Sequence, residues 1–251
     1  MASSPVVTTE PEFRKAEAVF AAALGGRCVP SPPDEDGLAA AIIESGARHA
    51  VVGTTPYRHR LHSALRSGGV LARFGVGHDG IDKAKATAAG LLCTNTPSVL
   101  DQSVAEHALL LMAAAARHLV ALAGAMKERS WAPCGGTELS GKRLVVIGCG
   151  PIGRTVARIA HLGFRMHVVG CRRSAGMADD IRADGVFERV VNDFPAAVRD
   201  ADYVSLHIPA TPDNRHFINR DRLSLLGAGT WLINTARGAA GPGCGPVRRA
   251  E

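Results

Sequence analysis

Three glycines with fixed spacing stand between a strand pattern and a helix pattern in the second half of the chain. Leu144–Ile147 is a continuous apolar run, and the next residues are Gly148, Cys149, Gly150, Pro151, Ile152 and Gly153. In such a G-x-G-x-x-G, the first glycine permits a tight turn, the second lets a pyrophosphate approach the backbone, and the third lets helix and strand pack closely. The N–H groups at the helix start are further phosphate donors. We predict a dinucleotide site at this loop, with a purely structural glycine turn as the alternative.

The residues after the next strand indicate which dinucleotide would bind. The strand pattern Met166–Gly170 ends where an acidic residue usually binds the adenosine ribose, but Cys171, Arg172, Arg173 and Ser174 stand there. No carboxylate is present to repel a 2′-phosphate, and two guanidinium groups are available to bind it. These residues favour NADP over NAD. The alternative is that both arginines are solvated loop charges and that both cofactors are used.

Composition points to an α/β protein and excludes several other classes. Of the 251 residues 46% are hydrophobic but only 4% are aromatic, so Ala, Val, Leu and Ile must build the core. The net charge of +6 is spread without a basic run, which argues against a nucleic-acid partner. Six scattered cysteines form no C-x-x-C pair, so we expect no metal site and a reducing, cytoplasmic location. The apolar run Ala108–Ala116 is too short for a membrane span.

Short apolar runs alternate with helical patterns along the first hundred residues, which predicts a parallel sheet covered by helices. Strands are expected at Val6–Thr8, Arg27–Val29, His49–Gly53 and Val70–Phe74, with helices at Glu12–Leu24 and Leu38–Ser45. A long helix should then run from Ser103, in capping-box spacing with Glu106, to about Lys127. We predict a substrate domain at residues 1–102 and a dinucleotide-binding domain at 103–238.

Seven ordered motifs together resemble the D-isomer-specific 2-hydroxyacid dehydrogenases, a family that includes phosphoglycerate dehydrogenases and glyoxylate/hydroxypyruvate reductases. The motifs are Phe74–Asp82, Asn95–Pro97, Ser103–His107, Glu138–Lys142, the glycine-rich loop, Leu206–Pro212 and Leu232–Gly238. The resemblance implies two Rossmann-like domains with parallel sheets, a cleft between them, and a dimer formed through the cofactor domain. It also implies hydride transfer between NAD(P) and a small D-2-hydroxy acid or 2-oxo acid.

The resemblance assigns roles to individual positions. Val76 and Gly77 match the loop whose N–H groups hold the substrate carboxylate, and Arg237 matches the catalytic arginine. A planar guanidinium fits a carboxylate and can polarise a carbonyl, although an ordinary surface arginine is the alternative. The remaining positions match cofactor-lining loops: Val104, His207, Pro209, Thr211, Thr235 and Ala236.

Two features depart from the family pattern. Hydride transfer from a hydroxyl carbon needs a base, which the family supplies from a histidine paired with a glutamate beyond the arginine motif. None of the ten histidines stands in that position, and His78, His107 and His207 are expected to be structural or cofactor-lining. The alternative function is therefore a non-catalytic dinucleotide-binding protein of the sensor or corepressor kind, or an inactive fragment.

The last thirteen residues form the second departure. Ten of the residues from Ala239 to Glu251 are Gly, Ala, Pro or Arg, as expected from out-of-frame reading of GC-rich DNA. No helical or strand periodicity is visible there. From this we expect an aberrant tail, a missing C-terminal part of the fold, exposed sheet edges, low stability and impaired catalysis.

Overall fold

The structure is a computed structural model that describes residues 4–173, 185–240 and 245–248. The chain divides into two compact units, Met1–Val99 and Leu100–Glu251. Each unit contains one sheet flanked by helices. The predicted α/β class with two largely parallel sheets is confirmed. The predicted boundary lies three residues later, and the roles assigned to the two units remain predictions.

The first unit is a five-stranded parallel sheet in the order β2-β1-β3-β4-β5. Its elements are β1 (Val6–Thr9), α1 (Glu10–Lys15), α2 (Glu17–Leu24), β2 (Cys28–Ser31), α3 (Glu35–Ser45), β3 (His49–Val52), α4 (Leu61–Ala64), β4 (Val70–Arg73), α5 (Lys83–Ala88) and β5 (Leu92–Thr94).

Helix α3 illustrates how the sequence determines an element of this unit. Asp34 caps it by accepting a hydrogen bond from the N–H of Gly37, a contact worth about 1 kcal/mol. Gly46 ends it with a φ of 64°, the left-handed conformation that glycine adopts most readily. Between these ends Leu38 and Ile42 are four residues apart and fully buried against the sheet. The single helix expected over Glu12–Leu24 is instead two helices, because the backbone at Ala16 is not helical.

The second unit is a six-stranded sheet in the order β11-β10-β9-β6-β7-β8. Its elements are α6 (Asp101–Ala116), α7 (Leu119–Lys127), β6 (Arg143–Ile147), α8 (Pro151–Phe164), β7 (His167–Cys171), β8 (Arg189–Val191), α9 (Phe194–Val198), β9 (Tyr203–Leu206), α10 (Arg220–Ser224), β10 (Trp231–Asn234) and β11 (Gly245–Arg248).

Strand β6 is buried on both faces, as its uninterrupted apolar run predicts. Leu144 and Val146 pack into a core with α6 and α8, whereas Val145 and Ile147 pack into a second core with α9. Alternate residues point to opposite faces of a strand, so one four-residue run serves both cores. The strand is therefore fixed in the centre of the sheet.

The long helix predicted from Ser103 to Lys127 is wrong in two respects. It begins at Asp101, two residues before the expected cap, and no side-chain cap bond is present. Glu106 instead accepts a hydrogen bond from Gln102 at 2.7 Å. It also breaks after Ala116, because His118 has a φ of 52°, and α7 continues at 68° to α6. Among the described helices none alone is long and apolar enough to cross a membrane; only this bent pair reaches that length and apolarity together.

The tail contains a strand that its sequence does not predict. Residues Gly245–Arg248 pair antiparallel with β10, in register from Trp231↔Arg248 to Asn234↔Gly245. The expectation that no regular structure follows Gly238 is therefore wrong for these four residues. An open sheet edge offers unpaired backbone N–H and C=O groups, and pairing with them requires no side-chain periodicity.

Candidate functional site

The carboxyl ends of four neighbouring strands of the second unit lie in register. Ile147 pairs with Cys171 on one side and with Leu206 on the other, and Leu206 pairs with Asn234. The loops that follow these strands therefore leave the sheet side by side. In open α/β sheets ligands bind at this edge. The register brings together the predicted residues of the glycine-rich loop and those at 171–173, 207–211 and 235–237.

The glycine-rich loop is held tightly from within the protein. Gly148 has a φ of 98°, and a Cβ added there would lie 2.5 Å from the carbonyl oxygen of His207. A Cβ on Gly153 would lie 2.0 Å from the carbonyl oxygen of Gly148. Both contacts involve backbone atoms, which cannot move aside as a flexible side chain would. These two glycines are therefore required by the fold itself, in agreement with the roles predicted for the first and third positions.

Gly150 differs from the other two glycines. A Cβ at this position would meet no atom within 4 Å, so the protein itself does not require a glycine here. Gly150 is also the N-cap of α8, with Pro151 in the first turn, where helix N–H groups have no intrahelical acceptor. An open, uncrowded glycine at a helix N-terminus fits a pyrophosphate that approaches the backbone.

Thr235 provides a second indication that a polar ligand fits this edge. Its hydroxyl oxygen is buried and has no hydrogen-bond partner among the described residues. A buried hydroxyl without a partner is unfavourable by about 1–3 kcal/mol, so a ligand group that bonds to it would recover this energy. Together with the space above Gly150, this hydroxyl is consistent with a bound dinucleotide.

The strand end that normally carries an acid presents a neutral thiol. Burial, together with the nearby carboxylate of Asp193, raises the pKa of Cys171 to about 11. Arg172 follows it and is half-buried, whereas Arg173 is exposed and pairs with Asp213 at 3.3 Å. Strand β7 thus ends in a neutral side chain, Cys171, and two guanidinium groups follow it. Ser174 lies outside the described residues.

Cys149, the second residue of the loop, lies beneath it. Its sulfur is 3.8 Å from the carbonyl oxygen of Cys171, and burial raises the pKa of its thiol to about 11. A thiol with this pKa is neutral and a poor nucleophile at physiological pH. Cys149 therefore acts as a small apolar residue that fills the space between strand ends.

His207 links β9 to the glycine-rich loop. Its N–H donates to the carbonyl of Ile147 at 2.8 Å, and its ring nitrogen Nε2 lies 2.8 Å from the hydroxyl of Ser205. Desolvation lowers the pKa of the ring to about 4. The imidazole is consequently neutral at physiological pH. Beyond it Pro209 and Thr211 are exposed, and the N–H of Thr211 donates to the carbonyl of Pro209 at 3.0 Å.

A short turn after β10 carries Arg237. Asn234, the last residue of β10, accepts a hydrogen bond from the N–H of Ala236 at 3.0 Å and donates one to the carbonyl of Arg237 at 3.1 Å. The guanidinium of Arg237 donates to the carbonyl of Ala236 at 2.9 Å and is half-buried. Sequence reasoning missed Asn234, although an asparagine at a strand end is a turn signal.

Val76 and Gly77 belong to the first unit, in a loop after β4. The side-chain amide of Asn95 donates to the carbonyl of Val76 at 2.8 Å, and the N–H of Thr96 donates to the carbonyl of Gly75 at 3.1 Å. Both carbonyl groups are thereby bound within the protein. The N–H groups of Val76 and Gly77, which are predicted to bind an anion, thus belong to a loop in which the carbonyl groups of Gly75 and Val76 already accept hydrogen bonds. Val104 lies half-buried in the first turn of α6, in the second unit.

A buried charged cluster lies next to this loop and was also missed. Thr9 donates to the carboxylate of Glu12 at 2.5 Å, and Lys15 pairs with it at 3.0 Å. Burial alone would raise the pKa of Glu12, but these hydrogen bonds and the charges of Lys15 and Arg73 lower it below its ordinary value. Arg73 is 8% exposed as a residue, and its guanidinium donates to the carbonyl of Phe74.

Two glycines make room for the charged side chains of Glu12 and Arg73 in this cluster. A Cβ on Gly53 would lie 2.5 Å from the Glu12 carboxylate, and one on Gly75 would lie 2.7 Å from a guanidinium nitrogen of Arg73. Gly75 directly precedes Val76 and Gly77 in the loop after β4. The buried cluster is therefore part of the support of the predicted carboxylate-binding loop.

A cavity of about 730 Å³ borders the glycine-rich loop on one side only. Cys149, Gly150 and Pro151 contribute to it, and most of the other lining residues come from α8 and residues 185–187. None of the strand-end residues at 207–211 or 235–237 lines it, so the cavity does not coincide with the edge of the sheet described above. Within the described ranges no group of three or more His, Cys, Asp or Glu side chains could hold a metal ion.

Comparison with known proteins decides the family. A family model for the NAD binding domain of D-isomer specific 2-hydroxyacid dehydrogenases matches residues 109–241, just over half of the chain. The chain belongs to the D-isomer specific 2-hydroxyacid dehydrogenase family. The match includes the glycine-rich loop, the four strand ends and the Arg237 turn, so an NAD-binding domain of this family occupies the second unit.

Curated relatives in this dehydrogenase family are longer than the part of them that this chain matches. The hydroxypyruvate reductase of Thermotoga maritima is 38% identical over 171 residues, which are 67% of this chain and 53% of that protein. The D-3-phosphoglycerate dehydrogenase of Mycobacterium tuberculosis H37Rv is 35% identical over 209 residues, which are 82% of this chain and 38% of that protein. The chain thus spans about half or less of the length of these relatives.

Solved structures of similar proteins agree with the 2-hydroxyacid dehydrogenase fold. The D-lactate dehydrogenase of Aquifex aeolicus, complexed with NAD and lactic acid, has a TM-score of 0.76 and 25% identity, covering 94% of this chain and 70% of that one. The pyruvate reductase of Chlamydomonas reinhardtii has a TM-score of 0.78 at 24% identity, covering 96% and 71%, and supports the fold alone.

Proposed function

We propose that this chain takes part in hydride transfer between NAD(P) and a small D-2-hydroxy acid or its 2-oxo acid. The observation that carries the proposal is the register of four strand ends, which sets the glycine-rich loop and the Arg237 turn along one edge of one sheet. The family relatives named as hydroxypyruvate reductase and as D-lactate dehydrogenase with NAD and lactic acid support it.

Each group would contribute through its own chemistry. The helix N-terminus at Gly150 binds the pyrophosphate, and the hydroxyl of Thr235 offers a buried polar contact to the cofactor. The bound dinucleotide supplies or accepts the hydride. In the second unit, Arg237 would bind a carboxylate and polarise the carbonyl of a 2-oxo acid. In the first unit, the N–H groups of Val76 and Gly77 would bind a carboxylate.

His207 is not the acid that completes this reaction. Reduction of a carbonyl requires a proton donor, and a group with a pKa near the working pH serves best. The pKa of His207 is lowered to about 4, so at neutral pH its ring is the neutral imidazole and lacks the imidazolium proton that a general acid gives up. Its contacts with Ser205 and with the loop favour a structural role at the cofactor site instead.

The proposal is tested first by measuring binding of the dinucleotide and then by measuring turnover of a 2-oxo acid. NADPH and NADH are titrated into the protein, and the nucleotide fluorescence is followed; glyoxylate and hydroxypyruvate are then added to the complex, and absorbance at the nicotinamide band is recorded. We expect saturable dinucleotide binding and slow oxidation of the cofactor with one of the two acids, because no histidine of the chain stands in the family's acid–base position. Absence of dinucleotide binding by the folded protein would refute the proposal.

We further propose that NADP is preferred over NAD, because Arg172 and Arg173 follow β7 in place of a carboxylate. Arg173→Ala should weaken NADPH binding about tenfold, since a hydrogen bond to a charged group contributes about 1.5 kcal/mol or more, and leave NADH binding within twofold. Arg158→Ala, an exposed arginine on α8, is the matched control. Equal loss of both cofactors in Arg173→Ala would contradict the assignment.

A second copy of the chain is the partner we propose for α7. This apolar helix buries none of its residues, and large side chains of α7 and the following loop are exposed: Leu119 50%, Val120 84%, Met126 61% and Trp131 82%. Exposed apolar patches of this kind mark interaction surfaces. The family resemblance, which implies a dimer through the cofactor domain, supports a second copy of the chain as the occupant.

Light scattering coupled to gel filtration tests the dimer. The wild-type protein should have about twice the chain mass of 26.2 kDa. Val120→Asp should shift it to the mass of one chain, because a charge in an apolar interface is strongly unfavourable. Leu162→Asp changes a residue of α8 with 70% exposure and should remain dimeric. A wild-type protein with the mass of one chain excludes this partner.

We also propose a cytoplasmic location. The five described cysteines, Cys28, Cys93, Cys134, Cys149 and Cys171, are free thiols. A reducing compartment keeps thiols in this state.

A further inference from the structure

Asn234 is buried where β10 gives way to the Arg237 turn. Only 2% of the residue is exposed, and both ends of its side-chain amide are used within the next three residues. The oxygen accepts from the N–H of Ala236 at 3.0 Å, and the nitrogen donates to the carbonyl of Arg237 at 3.1 Å. Only a side chain with an acceptor and a donor on one short, planar group can make both contacts at this spacing.

The carbonyl of Arg237 is the point at which the turn is fixed from two sides. It accepts one hydrogen bond from Asn234 and a second from the N–H of Ala240 at 3.0 Å. The guanidinium itself donates to the carbonyl of Ala236, whose own N–H is held by Asn234. The position of the Arg237 backbone, and hence the origin of its side chain, therefore depends on the amide of Asn234.

We propose that Asn234 is a positioning residue that holds Arg237 in the orientation needed to bind a 2-oxo acid. The ligand part of this inference rests on the proposed function, whereas the structural part does not. A guanidinium must lie within a few tenths of an ångström of its place to bind a carboxylate through two parallel hydrogen bonds. A side chain that fixes the backbone of the arginine would act on substrate affinity without touching substrate.

The variants separate the two contacts of the amide. Asn234→Ser can still accept from the N–H of Ala236, as serine does in comparable turns, but cannot reach the carbonyl of Arg237. Asn234→Asp keeps the shape and the acceptor, lacks the donor and adds a negative charge at this buried position. Thr230→Val is the matched control, because Thr230 lies just before the same strand and donates a buried hydrogen bond to the carbonyl of Ala201 at 2.8 Å.

The first readout needs no ligand. Trypsin cleaves after arginine, and native-state cleavage follows the population of the locally open turn. Loss of the Asn234 hydrogen bond should raise the rate of cleavage after Arg237 roughly three- to tenfold, as expected for a contact of about 0.5–1.5 kcal/mol. Cleavage after Lys127, measured by mass spectrometry in the same digest, should not change, and Thr230→Val should be cleaved after Arg237 at the wild-type rate.

The second readout is binding of oxamate, whose carbonyl accepts hydrogen bonds but not a hydride, to the NADPH-loaded protein by calorimetry. Asn234→Ser should raise the oxamate dissociation constant roughly three- to tenfold and leave that of NADPH within twofold. Asn234→Asp should behave alike; if one of the two fails to fold, the other still provides the measurement.

Several outcomes would overturn the inference. They are an unchanged rate of cleavage after Arg237, an equal increase in Thr230→Val, or faster cleavage with unchanged oxamate affinity. If the wild-type protein binds NADPH but no oxamate, the proposed 2-oxo acid function fails instead. In that case the cleavage rates alone decide whether Asn234 fixes Arg237.

Discussion

Gly150→Ala should lose dinucleotide affinity by about 10- to 100-fold while the protein remains folded. The added methyl group meets no protein atom within 4 Å, and the backbone at Gly150 is extended, so alanine fits without strain. The same methyl group would occupy the space above the helix N-terminus, where a pyrophosphate must approach to bond with the N–H groups. Hydrogen bonds to a charged group contribute about 1.5–3 kcal/mol, which corresponds to the expected loss.

Two other glycines provide the controls for this experiment. Gly163→Ala places a methyl group at an ordinary distance of 3.8 Å from Ile159 on α8, so stability and NADPH binding should be unchanged or slightly improved. Gly153→Ala would force a methyl group to 2.0 Å from the carbonyl of Gly148 and should reduce both stability and binding. NADPH titration and thermal unfolding are measured on all three; wild-type NADPH affinity in Gly150→Ala would show that no phosphate lies over this residue.

Glu12→Gln should lower the free energy of unfolding by about 3 kcal/mol at pH 7. The substitution removes the negative charge that pairs with Lys15 and attracts the buried guanidinium of Arg73, and a buried guanidinium that loses a compensating charge is strongly unfavourable. Glu17→Gln, an exposed glutamate of α2, is the control and should change stability by less than about 0.5 kcal/mol.

The Glu12 effect should depend on pH in a defined direction. Because the pKa of folded Glu12 is lowered from 4.5, its charge stabilises the folded state above pH 4.5, and this contribution is lost as the pH falls through the folded pKa. Urea unfolding followed by circular dichroism at pH 7 and pH 4 measures the difference between wild type and variant. The gap should be full at pH 7 and smaller at pH 4; a gap that grows at low pH would rule out the ionised carboxylate as its source.

The elements that the sequence predicts well are those determined by local pattern and burial. The segment from β6 through the glycine-rich loop to α8 combines an apolar run, three glycines and a helical face of Val156 and Ala160, and the structure agrees. The break at His118 was missed because one residue in the left-handed region is unfavourable by only about 1–2 kcal/mol, and contacts elsewhere decide it. Strand β11 was missed because main-chain pairing leaves no periodicity in the side chains.

The supports of the site were harder to predict than the site itself. Arg237 and the glycines stand out by residue type and spacing. The attraction between the charges of Glu12 and Arg73, by contrast, acts between the helix after β1 and the end of β4, and no local sequence pattern indicates it. In the sequence, Asn234 looks like an ordinary residue at a strand end. In the structure, its side-chain amide donates a hydrogen bond to the carbonyl of Arg237, three residues further along the chain. Positioning contacts of this kind become visible only when the chain is folded.

The bound carbonyl groups of Gly75 and Val76 have a consequence for how a carboxylate would enter the loop. Asn95 and Thr96 hold these acceptors by hydrogen bonds within the first unit, so the orientation of the neighbouring N–H groups is established when the unit folds. A carboxylate that binds there meets dipoles that do not have to reorient, and little chain entropy is lost at that moment. Many loops become ordered only when a ligand binds. In this loop, the backbone is already ordered when the unit folds.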